Sequence, residues 1–524
     1  MSESRNESRN RRAAGVEEGS EAKVAATAGK GAAALAVAKL YFLVSGLAIY
    51  FVLPRILSPE QWGDYLLVTG VAVIINNVMV SGTIQAVSRF TAQNEGAAAQ
   101  VRWAGIKMHS VLGTGAALLL VTLGISLSWW WKDMALAPLF LLMGAMVVFY
   151  ANYSVFVGSA NGQRLFIRQA SLDMGYATLK VILVLLGAWL FASSGGKVGV
   201  GGALGGLVSA SAVILLVSVL VVGAPSRLDP KIPVRPLAKF ALAMFLYTLI
   251  FNLLMRVDLI LIKRFGAMLA PAGVGSASFA SKLAAQYGTA QVFAFITLQV
   301  LMSVALVLFP LVSRSSAEKD HEKTRLYVGQ TMRVGAIVGV GVAAILAARP
   351  GDIVTVIYPE TYRAAGLALR YLSWGVAALA LIALGCWALN GAGKSRQAIV
   401  VVLAALLAAA GLDLLALVTA QDPSQVLSRT AAATAAGMGL GLLVVAWMLR
   451  RVFGVFMPLA SLLRVLLAGG VVFGLGMFLG HASRLMILVQ SLGLGLVYLL
   501  LLALLREFTK ADMELFKGLL PGKK

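Results

Sequence analysis

About fourteen stretches of this chain stay apolar for some 20 residues or more, and no other sequence feature constrains the fold as strongly. They fall near 33–53, 65–88, 108–130, 135–158, 170–193, 199–223, 240–262, 274–312, 331–348, 364–390, 397–419, 430–449, 458–480 and 485–505. A run of that length crosses the hydrocarbon of a bilayer as a helix. In lipid every backbone polar group needs an internal partner, which leaves helices or a closed barrel. The runs are continuous and do not alternate with period two, so helices are selected. Composition agrees: 60% of residues are hydrophobic and 13% charged, where a soluble domain holds about a quarter charged. The expected fold class is an all-α polytopic membrane protein with about 14 transmembrane helices. The run 274–312 is too long for one upright span, so it tilts or extends out of the bilayer.

The formal net charge is +22. Here the basic residues sit in short connections between apolar runs, a topogenic pattern rather than a nucleic-acid surface, and no nucleic-acid partner is expected. With the N-terminus placed inside, roughly three times as many Lys and Arg fall in the inner connections and the two tails together as in the outer connections. The expectation is a multi-pass protein of a bacterial inner membrane with both termini cytoplasmic, its basic loops against anionic membrane lipids. Trp129, Trp130 and Trp131 stand at the outer end of the third run, where an aromatic belt belongs. Residues 1–31 are polar and mixed in charge, with no apolar h-region, and read as a disordered cytoplasmic tail.

The chain repeats itself. Leu57, Pro59 and Gly63 follow the first run, and Leu269, Pro271 and Gly275 follow the seventh at the same spacing. Val87-Ser88-Arg89 ends the second run and Val312-Ser313-Arg314 the eighth; Asn161-Gly162 ends the fourth and Asn390-Gly391 the tenth. Matches six runs apart give two halves inserted with the same orientation. The expected organisation is a tail at 1–31, an N-lobe of six spans at 32–223, a cytoplasmic linker at 224–239, a C-lobe of six spans at 240–450, and two further spans with a basic tail at 451–524.

Enzyme chemistry has no foothold. The single Cys386 lies within an apolar run, and His109, His321 and His481 are scattered, so no metal site and no cofactor are expected. Gly391-Ala-Gly393-Lys394-Ser395 resembles the end of a phosphate loop, but Ala388 stands where the first glycine belongs and no strand precedes it. The pairs Gly201/Gly205, Gly202/Gly206 and Gly437/Gly441 suit close helix packing.

Charges inside spans are costly and mark cavities or partners. Lys180 lies deep in the fifth run, with Asp173 and Tyr176 on the same helical face. It is a contact for an anionic head, or half of a structural ion pair. Arg256 and Asp258 in the seventh run lie two residues apart, which on a helix means roughly opposite faces and different partners; Asn252 lies one turn before Arg256. Asp258, Asp173 and Asp413 are candidates for ion coupling or for structural neutralisation. Asn77, Ser81, Gln85 and Ser88 form a polar stripe on the second run, ending beside Arg89. Ser278, Lys282, Gln286 and Thr289 form one on the eighth. Such stripes line water or a helix contact. Arg370 and Trp374, one turn apart, could clamp a sugar or phosphate, or anchor at the interface.

The segments Leu53-Pro54-Arg55-Ile56-Leu57, Trp62-Gly63-Asp64-Tyr65 and Ala86-Val87-Ser88-Arg89-Phe90 resemble the start of polysaccharide-biosynthesis flippases of the Wzx type. These share the MOP exporter superfamily with lipid II flippases and MATE drug exporters. Arg256-Val257-Asp258, Phe309-Pro310-Leu311-Val312-Ser313-Arg314 and Tyr358 to Arg370 are similar to the second half of that family, and the resemblance runs over about 35–450. It implies two pseudo-symmetric, MATE-like six-helix lobes plus two C-terminal helices. It further implies alternating access and a cationic vestibule lined by spans one, two, seven and eight. The cargo it implies is a polyprenyl-diphosphate-linked oligosaccharide for capsule, exopolysaccharide or O-antigen. A proton or sodium gradient or the membrane potential would supply coupling, and a glycan polymerase would act downstream. Arg55, Arg89, Arg256 and Lys282 lie on those spans and join Lys180 and Arg370 as head-group candidates. Competing readings are a lipid II flippase, a MATE-type cation antiporter, which would favour buried carboxylates over these basic residues, and a membrane glycan polymerase, for which the outer loops are too short.

Overall fold

A computed structural model describes residues 34–508 apart from 36, 95, 230–231, 244 and 481–482. The expected tail at 1–31 and the basic C-terminal tail beyond 508 lie outside the described residues. The described chain is helical, in the order α1 (Val37–Ile56), α2 (Pro59–Gln93), α3 (Ala98–Trp130), α4 (Ala137–Gly162), α5 (Phe166–Phe191), α6 (Val198–Val222), α7 (Val234–Ala243), α8 (Phe245–Leu254), α9 (Val257–Gly266), α10 (Ser276–Ala317), α11 (His321–Ala348), α12 (Pro350–Ile357), α13 (Ala365–Gly391), α14 (Ser395–Val418), α15 (Pro423–Phe453), α16 (Leu459–Phe478) and α17 (Arg484–Leu504). Among the described residues 12 helices are long and apolar enough to cross a membrane, and the pair α8–α9 makes a thirteenth. The eighth apolar run becomes α10, a single helix of 42 residues.

The seventh run does not form one straight span. α8 and α9 meet at a 44° bend, with Arg256 between them in a non-helical conformation (φ −134°, ψ −12°). The cause is polar: the Asp258 carboxylate accepts the backbone N–H of Leu259 at 2.7 Å, a local bond that competes with the helical ladder. The expected linker at 224–239 turns helical from Val234 onward.

The chain divides into two compact units. One holds the described residues up to Leu53, Ile75–Leu123 and Pro138–Phe245; the other holds Pro54–Ile74, Gly124–Ala137 and the described residues from Leu246. The second unit thus takes two pieces from the N-terminal half of the sequence, the start of α2 and the α3–α4 turn.

In the first unit Tyr153, Phe156, Leu172, Tyr176, Ala210 and Ile214 of α4, α5 and α6 form the core. Gly202 and Gly206 let α6 lie against α5: a Cβ at either would fall on the carbonyl oxygen of Gly187 or Leu183. Gly205 has open space instead, and Gly201 only the far end of Leu139 nearby. Adjacent residues are rotated about 100° on a helix, so only one of two overlapping pairs can face the partner. In the second unit Gly437 and Gly441 of α15 pack on Ala409 and Ala405 of α14, as their spacing predicts. Cys386 is buried in α13.

Candidate transport site

Three clusters of polar groups stand out inside the helices. The first clamps the end of the second unit where α1 finishes and α2 begins. Lys263, at the end of α9, is 0% exposed. Its ammonium donates to Asp133 Oδ2 at 2.9 Å, to Ser281 Oγ at 2.5 Å and to the Ala277 carbonyl at 3.0 Å. Asp64 Oδ1 lies 3.6 Å from the same ammonium and accepts from Ser281 Oγ at 2.6 Å. One lysine on α9 therefore binds carboxylates from α2 and from the α3–α4 turn. Gly63 permits this, since a Cβ there would overlap the Ser281 carbonyl oxygen. Around the cluster, Trp62 Nε1 donates to Thr289 at 3.1 Å, Trp131 Nε1 to the Ile260 carbonyl at 3.1 Å, and Gln286 Nε2 to the Thr361 carbonyl at 2.6 Å. Lys282 pairs with Glu60 at 3.1 Å, and the Arg55 guanidinium donates to the Ile357 carbonyl. On the following segment Asp352 is gripped by Arg349 and Arg363. Burial pushes the Asp352 carboxyl up, but those two guanidinium groups outweigh it and hold the group below the usual carboxylate range.

This cluster corrects one expectation and accounts for another. Trp129 is 74% exposed, as an aromatic belt requires, whereas Trp131 is fully buried; its indole seals the clamp rather than meeting headgroups. The stripe on α10 is a helix contact over Lys282, Gln286 and Thr289, with Ser278 half-buried beside them.

The second cluster lies at the α8–α9 bend. Arg256 Nη1 donates to Gln291 Oε1 at 3.2 Å, and the Arg256 guanidinium carbon lies 5.5 Å over the Phe295 ring. Gln291 Nε2 donates to both oxygens of Asp258, at 2.9 and 3.0 Å. Arg256 and Asp258 therefore share Gln291, contrary to the expectation of separate partners, because the break at Arg256 removes the helical 100° step between them. Tyr287 OH donates to Asp258 Oδ2 at 2.9 Å and lies 3.2 Å from Thr434 Oγ1, which donates to Asp413 Oδ1 at 2.8 Å. Asp413 Oδ2 and Thr430 Oγ1 are buried without a hydrogen-bond partner among the described residues. Asn252 is buried and donates to the Thr248 carbonyl at 2.8 Å.

The third cluster is in the first unit. Lys180 Nζ lies 4.5 Å over the ring of Phe42 and 5.8 Å over that of Tyr176. Asp173 is not its partner: that carboxylate accepts from Lys39 at 3.4 Å and Tyr153 OH at 3.5 Å. Tyr150 joins Tyr176, their ring centroids 4.8 Å apart. Further along α2, Asn77 and Gln85 are exposed with Arg89, and Ser81 is half-exposed, its hydroxyl donating to the Asn77 carbonyl at 2.7 Å. Ser88 donates to Asn161 at 2.9 Å. In the second unit Trp374 packs edge-on to Phe473, centroids 6.1 Å apart, with Arg370 half-buried one turn away.

Sequence reasoning singled out neither Asp64, Asp133 and Lys263 as a set, nor Tyr287, Gln291 and Thr434. The available signal was depth: Asp64, Asp133 and Lys263 all lie near the same ends of their runs, and opposite charges at one depth in an apolar setting seek each other.

A broken span with ionisable groups at the break, in an all-helical membrane fold, defines the class as a multi-span protein of the transporter kind. Residues 28–316 match the family model described as "Polysaccharide biosynthesis protein", and residues 265–415 match "MatE". The chain belongs to the polysaccharide biosynthesis protein family. Its fold is similar to a structure of the lipid II flippase MurJ in an inward closed conformation (TM-score 0.69, 12% identity, 90% of this chain and 99% of that one). It is also similar to an inward-facing multidrug resistance MATE transporter (TM-score 0.56, 15% identity, 79% and 95%) and to a MOP superfamily transporter from Pyrococcus furiosus (TM-score 0.55, 12% identity, 82% and 95%). No curated protein matches the sequence.

Proposed function

We propose that the protein is a flippase that carries a polyprenyl-diphosphate-linked oligosaccharide across the bacterial inner membrane for surface-polysaccharide synthesis. One observation carries this reading. Lys180 and Arg256 lie within spans, yet neither has a carboxylate within ion-pair distance among the described residues; aromatic rings and an amide hold them. A cation kept in an apolar region without a counter-ion is expensive, and an anionic head relieves that cost. A diphosphate-sugar head cannot cross hydrocarbon unaided, and fixed cations replace its hydration. A drug-cation antiporter would need the opposite polarity at these positions.

The clamp at Lys263 acts as the outer gate in this reading, closed while the exposed face of α2 carrying Asn77, Gln85 and Arg89 admits the head from inside. Asp258, Tyr287, Thr434 and Asp413 form the coupling element. Three contacts join these four groups, but the two hydroxyls supply only two protons. A third proton on either carboxyl completes the chain, and the unpartnered oxygens of Asp413 and Thr430 offer a small cation the alternative.

Flipping in proteoliposomes tests the proposal. Undecaprenyl-diphosphate-oligosaccharide is loaded and sugar accessibility to an impermeant probe is followed, with lipid II and an organic cation in parallel arms. Protein-dependent equilibration of the oligosaccharide, slowed by Lys180→Ala and Arg256→Ala, is expected. Efflux of the organic cation without glycolipid flipping overturns the reading, and flipping of lipid II alone reassigns the cargo.

A further inference from the structure

A cavity of about 390 Å3 opens in the first unit, far along the helices from the Lys263 cluster, lined by Gln100, Trp103, Lys107, Ser226, Arg227 and Leu228, with Ile232 and Val234 behind. Its floor is the first turns of α3 and its wall the loop after α6. That loop is docked by its main chain: Ser226 N–H donates to the Ala99 carbonyl at 3.0 Å, Gln100 Nε2 to the Asp229 carbonyl at 3.3 Å, and Arg102 Nη2 to the Ala224 carbonyl at 3.1 Å.

The chemistry of the lining is one-sided. The Arg227 guanidinium stacks 4.2 Å over the Trp103 ring, which fixes it while leaving its in-plane N–H groups for an acceptor. Lys107 is exposed, and neither it nor Arg227 has a carboxylate within ion-pair distance among the described residues. The one acidic residue of the described loop, Asp229, meets Gln100 through its carbonyl. Gln100 Oε1 is buried and lacks a donor. The cavity thus offers two cations and an aromatic ring for a phosphodiester, an acceptor for a hydroxyl, and an apolar wall.

Depth selects the source of that phosphodiester. α3 has 33 residues, roughly 50 Å at 1.5 Å per residue, longer than the ~30 Å hydrocarbon, and its apolar run starts only at residue 108, so its first turns stand on the headgroup side. Gln100, Trp103 and Lys107 lie within its first ten residues, at headgroup and glycerol level. We propose that this cavity binds the headgroup of an anionic phospholipid, with Arg227 and Lys107 on the phosphate and Gln100 accepting from a glycerol hydroxyl. A bound lipid would pin the loop that joins the two halves of the sequence to the membrane surface.

The test is native mass spectrometry of the purified full chain in detergent, titrated separately with phosphatidylglycerol, phosphatidylcholine, undecaprenyl phosphate and inorganic phosphate. One phosphatidylglycerol is expected to stay bound under conditions that strip phosphatidylcholine. Arg227→Gln and Lys107→Gln should each weaken it about fivefold, the factor matching roughly 1 kcal/mol per basic residue at a membrane surface. Gln100→Leu should narrow the preference for phosphatidylglycerol over phosphatidic acid, which is titrated in a further arm and lacks the headgroup glycerol. Equal retention of both phospholipids, or phosphatidylglycerol binding that survives both cation substitutions, overturns the proposal. So does tighter binding of undecaprenyl phosphate, which would make the cavity a cargo site, or displacement by inorganic phosphate alone. The readout is lipid retention, so the result stands apart from whether the protein flips a glycolipid.

Discussion

Lys263 and Lys180 are the same residue in similar apolar helices, and their surroundings differ completely. Lys263 has no exposed surface and sits against Asp133 and Asp64, with Ser281 and a carbonyl filling its remaining donor positions. Among the described residues Lys180 meets only the aromatic faces of Phe42 and Tyr176. A buried ammonium between two carboxylates is neutralised and locked, and removing one partner strands the others. An ammonium over rings keeps its charge and gives up little when an anion arrives. In the proposed mechanism the first position holds the gate and the second receives the anionic head.

The sharpest way to break that contrast is to remove the locked lysine. Lys263→Met takes the ammonium away from the buried carboxylates of Asp64 and Asp133, with an expected cost of about 3–5 kcal/mol, read as a fall in melting temperature in detergent. Replacing the partners as well, in Lys263→Met/Asp133→Leu/Asp64→Leu, should return much of the loss. If Lys263→Met alone melts like the parent, the clamp does not hold this state. The converse change is Lys180→Gln. Its stability cost should stay below about 2 kcal/mol, the scale of a desolvated cation–π contact, while glycolipid flipping falls about tenfold. A variant that melts early but flips normally would place Lys180 with the structural charges. A smaller and more selective effect is expected from Asp413→Asn, which removes a titratable oxygen but not the Thr434 contact. Flipping should persist while its response to an imposed proton or sodium gradient disappears; a response equal to that of the parent protein sinks the coupling role. The weakest effect is acid sensitivity at Asp352. Its carboxyl is depressed in the folded state, so its contribution is complete above the unfolded pKa of about 3.9 and fades as pH falls through the lower folded value. Asp352→Asn should flatten the acid limb of a stability–pH curve and leave neutral pH almost unchanged.

How much of this was legible depended on the range of the interaction. Helix positions follow from run length and charge, both local, and the boundaries of α5, α6, α13 and α14 lie within a few residues of the expected runs. The bend at Arg256 was hidden, because an apolar run does not announce where a buried carboxylate will take a backbone N–H. Arg256 and Asp258 were recognised as unusual, but their partners were not, since Gln291 and Tyr287 sit on α10 and look like ordinary polar residues of a long helix. The clamp was hardest: Lys263 stands just past the end of the seventh apolar run, and its two carboxylates come from distant parts of the chain. Gly63 was visible as half of a repeat, yet only the packing shows that the Ser281 carbonyl needs the space.

α10 runs unbroken for 42 residues, roughly 63 Å at 1.5 Å per residue, longer than the ~40–45 Å of a whole bilayer. Its first turns carry the clamp residues Ala277, Ser281, Lys282 and Gln286, and its last turn carries Arg314, paired with Glu318 just past the helix end. A rigid rod of that length is a lever with its load at one tip. Releasing the clamp and tilting the rod by about 10° would sweep the far tip through about 11 Å, so a few broken bonds on one side of the membrane become a displacement the size of a sugar ring or more on the other.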